Sequence, residues 1–318
     1  MDEGRQHNPV PVLLVTGVLG AGKTTLINSI LQADHGRVLA AVVNDFGSVD
    51  IDAAILSATG QPIYGLTNGC ICCSLQGDLL RTLRSILSLH NPPDGIVIEA
   101  SGISFPSGII EALFDPVLCE AVRLDAVVAV VDAEEYDPAD DLWKAQLRAA
   151  DFVVLSKTAT VESRDVASLR AVLSALHKNL VFDSTGDRAL PIDLFFGGGF
   201  ARERSLDRIS APHVADERFV RLEWSCLTPV SLPRFQSAIQ VLAPQLARAK
   251  GFLSVEGKQG QGYLFQLVGQ RASMVPAAKP FIGTQLVLIG PTELFDIQQA
   301  KSVLTRLESG DDFSAEVG

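Results

Sequence analysis

Few folds accommodate the segment VTGVLGAGKTTL, residues 15–26 of this 318-residue chain. It matches the spacing G-x-x-x-x-G-K-[ST], in which Gly17 and Gly22 are the two glycines and Lys23 and Thr24 follow. The apolar run before it and the helix-forming stretch after it predict a loop that joins a strand to a helix. Backbone N–H groups of such a loop bind phosphate oxygens, the lysine adds a positive charge, and the threonine hydroxyl is placed to bind Mg²⁺. A glycine-rich turn that fits by chance is the weaker interpretation, because both flanking elements are present.

The first two thirds of the chain alternate short apolar runs with helix-forming stretches, which predicts parallel strands connected by helices. The runs are continuously apolar, as is typical of strands covered on both faces. Strands are expected at Val12–Val15, Val38–Val43, Gly95–Ile98, Ala126–Val131 and Phe152–Leu155. Helices are expected at 24–33, 76–88, 106–114, 139–150 and 162–177. The predicted fold class is α/β, a P-loop NTPase domain with a mostly parallel sheet.

Beyond residue 200 the order of the elements changes. Strands are expected near 219–224, 251–255, 262–268 and 285–289, and helices near 231–243 and 292–308. Strands that follow one another without intervening helices predict a smaller α+β domain with an antiparallel sheet. We therefore expect a first domain at 1–200, a linker at 201–217, a second domain at 218–308 and a flexible tail at 309–318.

Composition argues against several classes of partner. The formal net charge of −11 opposes binding to a phosphate backbone, so no nucleic acid is expected. No apolar run approaches the roughly 20 residues of a membrane-spanning helix, and the acidic start lacks the apolar core of a signal peptide. We expect a cytoplasmic protein without membrane contact. Clustered cysteines in that compartment indicate metal or redox chemistry more often than a structural bridge.

A second phosphate-sensing segment is predicted at GIVIEASGIS, residues 95–104. Glu99 ends an apolar strand, where a carboxylate can bind the magnesium of a bound nucleotide. Gly102 follows at the spacing at which a glycine N–H meets a γ-phosphate. The alternative is a glutamate that only ends a buried strand.

The segment SKTA, residues 156–159, lies where guanine-binding proteins carry N-K-x-D. Lys157 can stack over a base, but Ala159 replaces the carboxylate that accepts two hydrogen bonds from guanine. A site without that acceptor discriminates poorly between guanine and adenine. Glu162 and Asp165 are the candidate substitutes, and the choice between GTP and ATP stays open.

Three of the five cysteines, Cys70, Cys72 and Cys73, fall within the stretch GCICCSLQGD. Two or three thiolates of such a loop can bind Zn²⁺ or Co²⁺. Disulfide exchange and simple packing are the alternatives, although the C-x-x-C spacing typical of redox motifs is missing and the neighbouring residues are polar. The remaining two thiols, Cys119 and Cys226, are expected to be ordinary core or partly buried residues.

Taken in order, GVLGAGKTT, VVNDFGSVDID, GLTNGCICCSLQGDL, IVIEASGISFP and SKTA resemble the CobW family of metal-handling P-loop GTPases. The later RAKGFLSVE, GYLFQLVGQR and TQLVLIG resemble the CobW C-terminal domain, so the resemblance spans nearly the whole chain. It implies a GTPase that uses GTP and Mg²⁺, carries Zn²⁺ or Co²⁺, and passes the metal to a client metalloprotein.

The resemblance also implies roles for particular residues. Lys23, Glu99 and Asp45 are the catalytic candidates, and the metal-binding candidates are Cys70, Cys72, Cys73, Thr24 and Glu99. The candidate nucleotide-binding residues are Gly17, Gly20, Gly22, Lys23, Thr24, Thr25, Gly102, Ser156 and Lys157.

The chain departs from the family pattern in a segment usually written N-E-F-G-E. Here Asn44 to Ser48 read NDFGS, so the first acid is shortened to Asp45 and the second is a hydroxyl. The rate of hydrolysis therefore stays open, as do the client and the oligomeric state. Two other functions compete: a small-molecule kinase of the P-loop class, and a slow or non-hydrolysing zinc or redox sensor that binds nucleotide.

Overall fold

A computed structural model describes residues 9–43, 63–65, 75–119, 121–185, 189–196, 217–258, 260–277, 281 and 283–309. The chain divides into two compact units, Met1–Phe196 and Gly197–Gly318. The predicted linker lies almost entirely outside the described residues, as does the predicted tail apart from its first residue.

The first unit is built on a parallel sheet of seven strands in the order β3-β2-β4-β1-β5-β6-β7. The strands are β1 (Val10–Thr16), β2 (Leu39–Val43), β3 (Ile63–Gly65), β4 (Gly95–Glu99), β5 (Val122–Asp132), β6 (Phe152–Ser156) and β7 (Val181–Asp183). Every residue of β2, β4 and β6 is buried, because both faces of the sheet are covered.

Six helices accompany this sheet in the described part of the first unit. They are α1 (Lys23–Gln32), α2 (Leu75–Leu87), α3 (Ser107–Leu113), α4 (Asp141–Ala149), α5 (Ser163–Ala175) and α6 (Ile192–Phe195). In α2 the buried residues Leu79, Leu83 and Ile86 recur at helical spacing and join the core of the sheet. The α4 helix begins where the Asp140 carboxylate accepts hydrogen bonds from the N–H groups of Leu142 and Trp143.

The α/β prediction for this unit is confirmed, and all five expected strands and five expected helices are present with shifted ends. The strands β3 and β7 and the short helix α6 were not predicted. Each has only three or four residues, too few for a periodic pattern to emerge.

The second unit contains an antiparallel sheet of five strands in the order β11-β10-β9-β12-β8. Its elements are β8 (Phe219–Cys226), α7 (Leu232–Leu242), β9 (Arg248–Ser254), β10 (Gly262–Val268), β11 (Arg271–Pro276), β12 (Thr284–Pro291) and α8 (Ile297–Ser309). The apolar sides of α7 and α8 share a core with one face of the sheet, where Phe235 meets Phe265 edge to face. The α+β prediction is confirmed. The unpredicted β11 is an edge strand with no buried residue, so the apolar signal of a strand is missing.

No helix in the described portion of the chain combines the length and apolar character needed to cross a bilayer.

Candidate functional site

The candidate site lies at the edge of the parallel sheet where the strands of the first unit end. β1 is flanked by β4 on one side and by β5 on the other. The chain runs from β1 to β2 on the first side, and after β4 it crosses to β5 on the second side, so the direction of the connections reverses at β1. Ligands of open α/β sheets bind outside the carboxyl ends of the strands at such a switch point. The residues that follow β1, β4, β5, β6 and β7 are therefore brought together by the fold.

The glycine-rich loop follows β1 directly, as predicted, and leads into α1 at Lys23. Gly17 has a φ of 148°, and a Cβ atom there would lie 2.5 Å from the carbonyl oxygen of Val130 on β5. Only glycine fits that position without a shift of the backbone. Gly20 and Gly22 have left-handed φ values of 77° and 94°. The loop turns within a few residues and ends against the first turn of a helix, whose free N–H groups favour an anion.

Lys23 is the first residue of α1 and is only 6% exposed. Its Nζ donates a hydrogen bond to the carbonyl oxygen of Val18 in the loop, at 3.1 Å. The ammonium group is therefore held across the loop rather than extended into solvent. This is a position from which a cation reaches phosphate oxygens cradled by the loop.

Thr24 and Glu99 meet although they are distant in the sequence. The Thr24 hydroxyl lies 3.2 Å from both carboxylate oxygens of Glu99, which ends β4 and is 7% exposed. The contact follows from the pairing of β4 with β1, in which Val15 lies opposite Glu99. Thr25, the next residue of the helix, is exposed.

Gly102 lies against the phosphate loop. A Cβ atom at this glycine would be 2.7 Å from both the backbone N and the Cα of Leu19, and 3.1 Å from Nζ of Lys23. The segment after β4 therefore approaches the loop as closely as backbone atoms allow. Because the two segments are in close contact, a displacement of either one shifts the other.

Ser156 ends β6 and Lys157 follows it, on the other side of the loop. The Ser156 hydroxyl donates to the carbonyl oxygen of Ala21 at 2.7 Å, so it braces the phosphate loop against β6. Lys157 adopts a left-handed backbone conformation with φ 56°, and its ammonium group is hydrogen-bonded to Asp132. That bond, helped by Glu134 and outweighing burial, raises the pKa of Lys157, which stays protonated.

Asp132 is a site residue that the sequence interpretation missed. It ends β5, its side chain is 5% exposed, and it lies opposite Ser156 in the sheet. Its other oxygen, Oδ1, accepts a hydrogen bond from the N–H of Glu134 at 2.9 Å. The signal was available, because a carboxylate directly after a continuously apolar strand points to the edge of the sheet where ligands bind.

The three cysteines of the predicted thiol site, Cys70, Cys72 and Cys73, lie outside the described residues, as does the catalytic candidate Asp45. Among the described residues, no group of three or more His, Cys, Asp or Glu side chains has the arrangement of a metal site. Cys226 is buried, as expected, and burial raises the pKa of its thiol. Cys119 is exposed, so the expectation of a partly buried thiol is wrong there.

The glycine-rich loop, the lysine at the helix start and the acid on the neighbouring strand define a P-loop nucleotide-binding protein. Residues 11–182 match the CobW/HypB/UreG nucleotide-binding domain, and residues 219–307 match the cobalamin synthesis protein cobW C-terminal domain. The chain belongs to the CobW family, which confirms the resemblance seen in the sequence.

Relatives extend the match over most of the chain. It is 31% identical to a protein named zinc chaperone CobW from Sinorhizobium sp, covering 92% of this chain and 94% of that protein. It is 32% identical to a protein named zinc chaperone YjiA from Escherichia coli, covering 81% and 86%. It is also similar to the crystal structure of Zn(II)-bound YjiA GTPase from E. coli, with 25% identity, 95% and 99% coverage, and a TM-score of 0.45.

Proposed function

We propose that this protein is a GTP-dependent metallochaperone that binds Zn²⁺, or Co²⁺, on the thiols of Cys70, Cys72 and Cys73 and releases it to a client metalloprotein when GTP is hydrolysed. The observation that supports the proposal is the approach of Gly102 to Leu19 and Lys23, because a segment packed this closely against the phosphate loop can respond to the nucleotide bound there. The metal part is supported by the names of the zinc chaperones to which the chain is similar.

The residues of the first unit divide the work of phosphate binding. The loop supplies N–H donors at the start of α1, and Lys23 supplies a fixed positive charge beside them. Charge that develops on the phosphate oxygens during hydrolysis is stabilised best by groups already in place, since they need no reorganisation. Gly102 would respond to the γ-phosphate, because a Cβ atom at this glycine would lie only 3.1 Å from Nζ of Lys23, the cation that binds the phosphates.

The pair formed by Thr24 and Glu99 suits Mg²⁺. This ion prefers oxygen ligands and is usually held by one or two side chains together with the phosphates of a nucleotide. A hydroxyl 3.2 Å from both oxygens of a carboxylate is a donor set of that kind. When bound, magnesium would neutralise charge on the β- and γ-phosphates.

The substitution Glu99→Gln tests this assignment. We expect the Mg²⁺ concentration for half-maximal phosphate release to rise roughly 10- to 100-fold, because the loss of a single supporting carboxylate typically weakens a metal site by that factor. Glu111→Gln is the matched control, since Glu111 is an exposed acid of the same unit in α3. A magnesium titration that is the same for Glu99→Gln and the unchanged protein would contradict the role of Glu99.

Metal release requires the two nucleotide states to differ in their affinity for the metal. A ligand shifts an equilibrium only by its differential affinity, and each tenfold difference corresponds to about 1.4 kcal/mol. Thiolates bind Zn²⁺ strongly, and loss of the γ-phosphate can loosen a loop that the phosphate holds in place.

The decisive experiment is a titration with Zn²⁺ against a competing chelator, on the full chain loaded with GTP, with GDP or with no nucleotide. We expect at least about tenfold tighter binding in the GTP state, and a loss of this high-affinity binding in Cys72→Ala. Cys119→Ala is the matched control, because Cys119 is an exposed thiol of the same unit and lies outside the thiol loop.

The chaperone function would be overturned if the affinity for Zn²⁺ were the same in all nucleotide states and were unchanged in Cys72→Ala. Phosphate transfer to an added metabolite would favour the small-molecule kinase instead. Nucleotide binding without any turnover would favour the sensor.

A further inference from the structure

Glu162 and Asp165, the two candidate substitutes for the missing guanine acceptor, both lie beside Arg164. The side chains of Glu162 and Asp165 are 71% and 57% exposed. Both carboxylates lie near the guanidinium group of Arg164, at 3.0 Å and 3.6 Å from its Nε. Among the described residues, no hydrogen bond or ion pair joins either carboxylate to residues 156–159.

A third carboxylate lies beside that segment. Asp183 ends β7, which neighbours β6 in the sheet, and it lies opposite Leu155. The hydroxyl of Thr158 donates a hydrogen bond to Oδ1 of Asp183 at 2.7 Å. Thr158 directly precedes Ala159, so the fold supplies a carboxylate next to the position where the sequence motif lacks one.

The Asp183 carboxylate is fixed by its own neighbours. Besides Thr158, the backbone N–H and the hydroxyl of Thr185 lie 2.9 Å and 3.0 Å from Oδ1. Within the described part of the chain, the hydrogen bonds to this side chain all reach Oδ1, and none reaches Oδ2. Each carboxylate oxygen has two lone pairs, so Oδ2 can accept donors from a ligand.

The same contacts keep the group ionised. Burial would raise the pKa of Asp183, but the hydrogen bonds from Thr158 and Thr185, together with the positive charge of Arg170, outweigh burial and hold the pKa below its ordinary value. An ionised carboxylate is a strong acceptor for an N–H donor of a ligand.

We propose that Asp183 selects guanine, by accepting a hydrogen bond at Oδ2 from the 2-amino group of the base. The assignment rests on the proposed GTP site, because the phosphate loop fixes the other end of the nucleotide. Adenine carries a lone pair at N1 and has no 2-amino group. Adenine would leave the Asp183 carboxylate without a hydrogen-bond donor, so the affinity for adenine nucleotides is lower than for guanine nucleotides.

A structural role for Asp183 is the simpler alternative, in which the side chain only stabilises the turns after β6 and β7. The substitution Asp183→Asn separates the two roles. It retains an oxygen for Thr158 and Thr185 and replaces Oδ2 with an amide NH₂ group. That group cannot accept from guanine, but it can donate to the 2-carbonyl oxygen of xanthine.

The test is isothermal titration calorimetry of the full chain with GDP, XDP (xanthosine diphosphate) and ADP in the presence of Mg²⁺. We expect the unchanged protein to bind GDP at least about tenfold more tightly than ADP or XDP. Asp183→Asn should bind GDP roughly 10- to 100-fold more weakly and XDP at least about tenfold more tightly. Glu162→Gln and Asp165→Asn are matched controls, because they make the same chemical change at exposed acids, and their affinities should stay within about twofold.

The outcomes distinguish this assignment from the proposed function. Unchanged GDP and XDP affinities in Asp183→Asn, or equal binding of ADP and GDP by the unchanged protein, would overturn the role of Asp183 and leave nucleotide binding intact. Absence of binding of any of the three nucleotides by the unchanged protein would overturn the GTP site and the assignment together. A gain of XDP affinity cannot come from misfolding, so it separates recognition from structural damage.

Discussion

The substitution Lys23→Ala is expected to lower the rate of GTP hydrolysis by roughly 10²- to 10³-fold, the loss typical when one preorganised electrostatic group is removed from a site of this kind. Lys23 is buried at the start of α1, and its Nζ is held by the carbonyl oxygen of Val18 at 3.1 Å. Nucleotide affinity should fall as well, since the charge of Lys23 stabilises the phosphates both in the bound nucleotide and in the transition state of hydrolysis.

Phosphate release under single-turnover and steady-state conditions measures this effect. Lys144→Ala is the matched control, because Lys144 lies on the same unit in α4 and pairs with Asp141 at 3.7 Å on the protein surface. Hydrolysis by Lys23→Ala at a rate within about threefold of the unchanged protein would exclude the loop as the catalytic phosphate site.

The substitution Gly102→Ala is expected to lower hydrolysis about 10²-fold and to reduce the free energy of unfolding by about 1–3 kcal/mol. The added methyl group would lie 2.7 Å from the backbone N and Cα of Leu19, so the backbone of the phosphate loop or of the segment after β4 must move. Displacements of about 1 Å in a catalytic arrangement are enough to produce a loss of that size. The affinity of the GTP state for Zn²⁺ should approach that of the GDP state, because the sensor no longer meets the γ-phosphate.

Gly108→Ala is the control for this change, since a Cβ atom there meets nothing within 4 Å. Gly108 lies in α3, where alanine is favoured over glycine by about 0.5–1 kcal/mol, so the control should be neutral or slightly more stable. Denaturant unfolding and phosphate release, measured on the same preparations, separate the two effects of Gly102→Ala. Normal hydrolysis and a normal zinc response in Gly102→Ala would exclude Gly102 as the sensor.

Local patterns were sufficient for the long elements of the fold. Continuous apolar runs predicted β1, β2, β4, β5 and β6, because a strand buried on both faces needs apolar side chains at every position. The pattern was insufficient for β7, whose three residues are mostly half-buried and carry no repeated signal. Because β7 was not predicted, Asp183, which ends that strand, was not recognised as a candidate site residue.

The phosphate loop was also predictable from spacing, since Gly17 to Thr24 lie within one loop and one helical turn. Its partners were less so. Glu99 was found because it ends a strand next to a recognisable glycine, whereas Asp132 ends a strand in the same way and was overlooked. For the base-recognition segment, closeness in sequence was misleading. The acids that follow Ala159 in the chain were the candidate acceptors, but they lie beside Arg164 and are exposed to solvent.

The amino-acid sequence alone thus determined the kind of ligand site, the two fold classes and the family, because each produces a pattern among residues that are close together in the chain. Tertiary structure alone decided which distant side chains share the sheet edge: Thr24 with Glu99, Lys157 with Asp132, and Thr158 with Asp183. These contacts depend on the order in which parallel strands pair. A parallel sheet can place strands side by side that are far apart in the chain, so no local pattern of residues encodes that order.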